Sequence, residues 1–253
     1  MIPLGIEATD AVLAWGDGRH RAVALRHAAI HGRPGLWGDD PVRPSSLVWL
    51  RDGGDQWEVF AAGRAEPALD WLASTALGRP IVLAAPPAWE PVVRSRVGPQ
   101  TLVERTPVQT WVRPEPLPLP ARSVAVRPLA VEDAGAFEAV APSWSLRSWG
   151  DFASLIERGA AFGVPDGPRL AALAWVVESD LEFDKVGVAT DPRFARLGLG
   201  RAVASALVGQ IEGERARRPL WVVHPGNLGS IALAQSLGFA HRITENLLRW
   251  EVR

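Results

Sequence analysis

A run of alternating prolines divides the sequence into two halves. Four prolines alternate with other residues between residues 112 and 122. Proline fixes φ and lacks a backbone N–H, so this stretch favours an extended, semi-rigid connector over a helix or a central strand. The predicted division is a first domain at residues 1–112, a linker at 113–122 and a second domain at 123–253.

The composition excludes several classes of protein. The 253 residues carry a net charge of −1, which argues against a protein that mainly grips nucleic acid or anionic lipid. Without cysteine there is no disulfide scaffold, no Cys-ligated zinc and no thiol nucleophile, and we predict no metal site. The longest apolar run, residues 170–177, is too short to span a bilayer, and the N-terminus does not resemble a signal peptide. We therefore expect a cytoplasmic protein without a nucleic-acid or membrane partner.

Both halves combine helix-like and strand-like patterns, which predicts an α/β fold built on mixed sheets. In the first half, residues 46–50 and 57–62 flank a turn and predict a hairpin. In the second half, strands both precede and interleave with helices around one sheet. Residues 199–211 form the clearest amphipathic helix of this half. The smaller first domain shows no motif that indicates a role.

The most informative segment is residues 186–202, VGVATDPRFARLGLGRA. A strand enters a loop, and Gly198 and Gly200 lie at the start of the amphipathic helix. Glycine allows a ligand to approach the backbone closely, and a helix start offers unpaired N–H groups with partial positive charge. This arrangement suits a pyrophosphate. The segment has one G-x-G and no Gly-Lys-Ser/Thr, so it is neither a dinucleotide fingerprint nor a Walker loop.

A second segment, residues 221–239, reads WVVHPGNLGSIALAQSLGF, with a strand, an asparagine and a helix that ends in Leu-Gly-Phe. Together the two segments resemble the GNAT superfamily of acetyl-CoA-dependent N-acyltransferases over about half the chain. The layout is similar to a two-domain bacterial branch with an extra N-terminal domain. The resemblance implies a GNAT-like C-terminal fold with acetyl-CoA as co-substrate. It leaves a degenerate GNAT-like half as one option for the first domain.

The resemblance also implies which residues bind acetyl-CoA. The strand end would contact the pantetheine and the thioester carbonyl, the loop amides would hold the pyrophosphate, and Asn227 would cap its helix or bond the pantetheine. Ala195 departs from the family, which usually has Gln or Arg there, and Arg196 stands one position away. The implied binding residues are Val188, Ala189, Thr190, Arg196, Leu197, Gly198, Leu199, Gly200, Arg201, Ala202, Asn227 and Ser230.

Acetyl transfer needs a deprotonated amine and a stabilised leaving thiolate. By resemblance, the candidate base is Asp184, acting through water, with Glu182 on the same strand face as second choice; a solvated strand end is the alternative. The family often keeps a tyrosine as general acid where this chain has Ala234, and the sequence contains no tyrosine at all. His224 is the candidate replacement, unless the thiolate leaves unassisted.

The resulting prediction is an N-acetyltransferase that acts on a primary amine of a small molecule or peptide by direct attack in a ternary complex. One alternative is a catalytically degenerate acyl-CoA-binding or regulatory module, as Ala195 and Ala234 suggest. Another is that the first half is an interaction domain that delivers a protein acceptor. Trp144 and Trp149 are candidates for the acceptor cleft, with a place in the core as the alternative. The sequence leaves open a monomer or a homodimer.

Overall fold

The protein is described by a computed structural model that covers residues 1–4, 9–13, 20–75, 78–98, 101–115 and 124–251. None of the helices in those ranges combines the length and the apolarity needed to cross a bilayer. The chain divides into two compact units. The first is Met1–Val108 with Thr244–Arg253, and the second is Gln109–Ile243.

The first half of the chain contains six strands and four helices within the described residues. The hairpin predicted from the sequence is present as the strands Ser46–Asp52 and Trp57–Gly63, and its turn uses Gly54 with φ 86°, a conformation that suits glycine. The elements are β1 (Ile2–Pro3), α1 (Thr9–Leu13), α2 (His20–Ile30), β2 (Leu36–Gly38), β3 (Ser46–Asp52), β4 (Trp57–Gly63), α3 (Ala65–Ser74), β5 (Ile81–Ala84), α4 (Trp89–Val97) and β6 (Glu104–Val112).

The second half also contains six strands and four α-helices in its described part. Asp151 caps α6 through the N–H of Ser154, and α7 buries the predicted apolar stripe from Leu199 to Ile211. The elements are β7 (Arg127–Pro128), α5 (Ala134–Glu138), α6 (Phe152–Arg158), β8 (Ala161–Asp166), β9 (Arg169–Ser179), β10 (Phe183–Thr190), α7 (Leu199–Glu212), β11 (Arg218–Val223), α8 (Leu228–Ser236) and β12 (Ala240–Trp250).

The two halves repeat the same order of elements: strand, two helices, three strands, helix, strand, helix, strand. Each half also contains a parallel pair of strands joined by a crossover helix. In the first half, β4 pairs with β5, and in the second half β10 pairs with β11. The repetition lies in the order of elements and not in the residues, since the sequence shows no internal repeat.

Each unit includes the C-terminal part of the last strand of the other half. In the second unit, residues 109–112 of β6 run antiparallel to β11, with Val112 opposite Leu220. In the first unit, the end of β12 runs antiparallel to β5, with Leu248 opposite Leu83. The sheet order is β1-β2-β3-β4-β5-β12 in the first unit and β6-β11-β10-β9-β8-β7 in the second.

This exchange explains why the two units differ from the predicted domain bounds. Residues 244–253 group with the first unit, although the sequence analysis assigned them to the second domain. They do so because β12 completes the first sheet beside β5. Most of the predicted linker lies outside the described residues, which stop at 115 and resume at 124.

We expect a fragment of residues 109–243 to fold and a fragment of residues 123–253 to fail. The 123–253 fragment lacks the β6 segment, so the edge of β11 is left without its strand, and its residues 244–250 lack the sheet they pair with. Thermal unfolding followed by circular dichroism checks this. A cooperative transition in the 123–253 fragment, equal to that of 109–243, would contradict the exchange.

Candidate functional site

The glycine loop forms an open helix start. Gly198 caps α7 with φ 79°, in the left-handed region that favours glycine. The first backbone bond into the helix runs from Ala202 N to Gly198 O at 3.1 Å. The amides of residues 199–201 therefore have no partner within the helix, and they carry the positive end of its dipole.

Gly200 places this helix start directly over β10. A Cβ atom at residue 200 would lie 3.1 Å from Thr190 Oγ1 and 3.7 Å from Val188 Cγ1. No side chain therefore separates the first turn of α7 from the C-terminal half of β10. An anion at the helix start and a chain lying along this half of β10 would be neighbours.

The strands β10 and β11 pair only at their beginnings. Phe183–Lys185 pairs in parallel with Arg218–Leu220, and the register goes no further, although β10 continues to Thr190 and β11 to Val223. On its other side β10 remains paired with β9 as far as Thr190. An opening thus begins between β10 and β11 after residues 185 and 220.

Backbone groups of β10 face this opening. The carbonyl of Glu182 accepts a bond from Arg218 N at 2.8 Å, so residue 182 directs its backbone toward β11. Because this direction alternates along a strand, Val188 and Thr190 direct their N–H and C=O groups into the opening. By the same alternation, Ala189 directs its N–H and C=O groups toward β9.

The charged side chains of the loop differ in whether they have a partner. Asp191 accepts a bond from Arg193 N and pairs with the Arg193 guanidinium at 2.6 Å, which lowers the pKa of Asp191 to about 2. Asp191 is therefore ionised at neutral pH and a poor proton acceptor. Arg201 donates to Ser236 O at 3.3 Å. Arg196 has φ 63° and no hydrogen bond or ion pair to another described residue, which leaves its cation available to an anion.

Three predicted residues lie at the end of β11 and the start of α8. Asn227 caps α8, because its side chain accepts from Ser230 N at 3.1 Å. Ser230 Oγ in turn accepts a bond from Trp221 Nε1 at 2.9 Å. The exposed His224 follows β11, and its Nδ1 accepts from Gly226 N at 3.0 Å. In the neutral ring the proton then resides on Nε2.

The structure contradicts the assignment of Asp184 as a base in the cleft. Asp184 is fully buried, and its carboxylate is ion-paired with Arg215 and Arg217. It precedes Val188 by four residues, or about 13 Å along a strand. It therefore lies where β10 and β11 are still paired. Its lone pairs are directed to guanidinium groups and not to the opening.

Glu182 lies still farther from the opening than Asp184. It is exposed before the first residue of β10 and pairs with Arg218 at 3.2 Å. The sequence predicted both acids on one strand, but β10 begins at Phe183 and only Asp184 lies on it. The sequence also did not show where along that strand the opening begins. The signal it overlooked is the Arg-Ala-Arg-Arg run at residues 215–218, which supplies the partners of both carboxylates.

Ala234 and Trp149 are core residues, whereas Trp144 is partly exposed. Ala234, where the resembled family often has a tyrosine, is fully buried in α8 and carries no hydroxyl. Trp149 is 1% exposed and donates from Nε1 to Val176 O at 2.7 Å. Trp144 is 42% exposed, and its ring centroid lies 5.7 Å from that of Trp175. Among the described residues, no group of three or more His, Asp or Glu side chains could hold a metal ion.

Comparison with known proteins agrees with this geometry. Residues 161–248 match the model of the FR47-like protein family. Over 84 residues the chain is 36% identical to the [ribosomal protein bS18]-alanine N-acetyltransferase of Escherichia coli K12. These matches support the resemblance to the acetyltransferases of the GNAT superfamily. The matched segment is 33% of this chain, and the chain spans 56% of the length of that curated relative.

Solved structures share the fold over most of the chain. A GCN5-related N-acetyltransferase-like protein from Streptococcus suis has a TM-score of 0.61 at 19% identity, covering 85% of this chain and 87% of its own. A Drosophila protein reaches 0.70 at 18% identity, covering 98% and 97%. A tandem GNAT protein from the clavulanic acid biosynthesis pathway reaches 0.64 at 13% identity, covering 99% and 97%. These likenesses confirm the predicted mixed α/β, GNAT-like fold.

We expect Gly198→Ala to destabilise the second unit by about 1 kcal/mol, because a Cβ atom is unfavourable at φ 79° even with nothing within 4 Å of it. Gly135→Ala is the matched control, since Gly135 also has nothing within 4 Å but lies in α5 without a positive φ. That variant should be neutral or slightly stabilised. Urea unfolding measures both, and equal shifts would contradict the backbone assignment.

Proposed function

We propose that the protein is an N-acetyltransferase that moves the acetyl group of acetyl-CoA to a primary amine of a small molecule or peptide. The observation that carries this proposal is the open start of α7, which lies over the unpaired half of β10. An anion site and an edge of free backbone groups are thus adjacent. Acetyl-CoA combines the same two features, a pyrophosphate and an extended arm with amide groups.

The pyrophosphate binds, in this proposal, to the amides of residues 197–201, because the predicted donor Ala202 N already bonds Gly198 O at 3.1 Å. These donors belong to the backbone, so the absence of a long polar side chain at Ala195 does not remove them. The Arg196 guanidinium adds a cation at the same loop. Gly198 and Gly200 keep the approach open, since neither carries a side chain that would occupy the site.

The pantetheine arm pairs with β10 as a short additional strand would. Val188 and Thr190 present N–H and C=O groups to the opening, and amide groups of an extended ligand can complete their hydrogen bonds. An N–H at the same edge polarises the thioester carbonyl. Asn227 Nδ2 adds a donor at the start of α8, because only its oxygen is needed for the cap. In this proposal Ala189 and Ser230 do not bond the ligand. Ala189 holds β10 against β9, and Ser230 accepts the bond from Trp221 beside the start of α8.

The reaction is direct attack of the amine nitrogen on the thioester carbon, with cleavage of the carbon–sulfur bond. Water accepts the proton of the substrate ammonium before the free amine attacks, because Asp184 and Glu182 lie at the paired end of β10. The Nε2–H of His224 donates a hydrogen bond to the departing thiolate. A thiolate with a pKa near 8.5 needs only such modest assistance.

The acceptor is a peptide amine or a small amine. The relative from Escherichia coli is named for the alanine of a ribosomal protein, which supports a peptide N-terminus as one acceptor.

We propose one acetyl-CoA site per chain, in the second unit, because the corresponding helix start in the first unit is not open. Only Arg64 lies between β4 and α3. Beside the start of α3, Trp89 Nε1 donates to Gly63 O at 2.7 Å.

A second candidate function is a module that binds acetyl-CoA without rapid turnover. It is favoured by the buried Ala234, since no phenol is available anywhere in the sequence. A third candidate, delivery of a protein acceptor by the first unit, concerns the same reaction and changes only its substrate.

Acetyl-CoA should raise the melting temperature of the wild type and leave the melting temperature of Gly198→Glu unchanged. At about 100 times its Kd, a ligand stabilises the folded state by about 2.7 kcal/mol. The variant places a carboxylate at the anion site, which repels the pyrophosphate. Gly54→Glu is the control, because Gly54 also has a positive φ with nothing within 4 Å but lies in the β3–β4 turn.

Calorimetry on the same variants gives the stoichiometry, for which we expect about one acetyl-CoA per chain. An undiminished shift in Gly198→Glu would exclude the loop as the anion site.

Thiol release over a panel of amines tests the reaction itself. The panel pairs an alanine-initiated peptide with its N-terminally blocked form, a lysine peptide and small polyamines. We expect turnover on at least one free amine and none on the blocked peptide. His224→Ala should bind acetyl-CoA normally and turn over about a hundredfold more slowly. Tight binding with no turnover on any amine would establish the binding module instead.

A further inference from the structure

The carboxylate of Asp184 is the centre of a buried polar cluster. Ser179 Oγ donates to its Oδ1 at 2.6 Å, Arg217 Nη1 lies 3.1 Å from the same oxygen, and Arg215 Nε donates to Oδ2. Arg215 Nη2 adds a contact of 3.3 Å to Oδ1, and Arg217 also donates to Ser179 Oγ. The carboxylate is fully buried between two guanidinium groups.

Arg215 extends this cluster to a helix. Its Nη1 donates to the carbonyls of Arg158, at 3.2 Å, and Gly159, at 3.0 Å. These carbonyls close α6, and a cation is favourable at a helix C-terminus. The cluster therefore joins α6, the end of β9, the start of β10 and the segment that leads into β11.

The backbone between the two arginines is held in an unusual conformation. Ala216 has φ 50°, in the left-handed region that residues other than glycine rarely adopt. The turn at Ala216 allows the residues on both sides of it to reach the same carboxylate. Such a conformation persists only where the surroundings enforce it. Here the surroundings are the two ion pairs with Asp184 and the backbone bonds from Arg215 N and Arg217 N to the end of α7.

The position of the cluster gives it a consequence for the opening. Asp184 is the middle residue of the three on β10 that pair with β11, and Arg215 and Arg217 immediately precede β11. The cluster thus fastens both strands at the place where their pairing stops. The direction in which each strand leaves this point sets how far Val188 and Thr190 stand from β11.

We propose that Asp184 is a positioning residue, which with Arg215 and Arg217 fixes the closed end of the β10–β11 opening and so sets its width at the acetyl-CoA arm. It touches neither substrate. The inference rests on the proposed function for the identity of the ligand, but the mechanical part does not depend on it. Two ion pairs to one carboxylate constrain direction, which apolar packing at this point would not do.

The test compares Asp184→Asn with Asp133→Asn in the full chain. Asp133 pairs with Arg127 at 2.6 Å on the surface of the same unit, so the control loses the same charge from an arginine-paired aspartate. Hydrogen exchange of residues 186–190 and 221–223, the acetyl-CoA Kd and the pH profile of kcat are measured well below the unfolding temperature. Arg217→Gln and Arg217→Lys serve as milder variants, since they keep the bonds from Arg215.

We expect Asp184→Asn to accelerate exchange in both segments and to raise the acetyl-CoA Kd about tenfold, with an unchanged shape of the pH profile. Asp133→Asn should match the wild type, and Arg217→Lys should be less affected than Arg217→Gln. If Asp184→Asn does not fold, the two Arg217 variants decide by the same readouts.

Three results would speak against parts of this account. A lower melting temperature with wild-type exchange and Kd would show that the cluster only stabilises, and would overturn the inference. Lost turnover with normal exchange and Kd, and loss of one limb of the pH profile, would make Asp184 the base and also overturn it. A wild type that does not bind acetyl-CoA would refute the proposed function, while the exchange data would still decide the positioning role.

Discussion

The early end of the pairing between β10 and β11 is the constraint on which the site depends. Backbone N–H and C=O groups in a sheet interior are normally paired, and leaving them open is unfavourable unless water or a ligand completes them. Here the second half of β10 stays paired with β9 on one side and is not hydrogen-bonded to β11 on the other. The start of α7 lies over the same residues, so an unsatisfied sheet edge and an unsatisfied helix end meet.

The rest of the second unit holds these two features in place. Core residues from both faces surround β9 and β10, and α7 contributes an almost fully buried stripe to that core. Asp191 and Arg193 give the intervening loop a fixed path, through a cap and an ion pair. The site is thus built from rigid elements and main-chain groups, which tolerate substitutions such as Ala195 better than a site built from side chains would.

The sequence was informative where local chemistry decides structure. Gly198 and Gly200 indicated a helix start open to ligands, and Asn227 indicated a helix cap. Glycine flexibility and side-chain capping both act within a few residues of the sequence, so they can be predicted from it. It was misleading for Asp184. Alternation along a strand shows which face a side chain occupies, but the point where two strands part depends on partners at residues 215 and 217, about thirty positions away. Nor could it show that β6 and β12 each complete the sheet of the other half.

The exchanged strands also bear on how the chain acquires its structure. During synthesis, all strands of the second unit have been made once residue 243 is reached. In the first unit, β5 has no partner on one side until residues 248–250 have been made. The half that is translated first is therefore the half that finishes last. Until then its β5 edge is exposed, and a pairing between residues so distant in sequence forms slowly. Premature termination near residue 243 would leave a second unit with all its strands joined to a first unit that lacks its last strand.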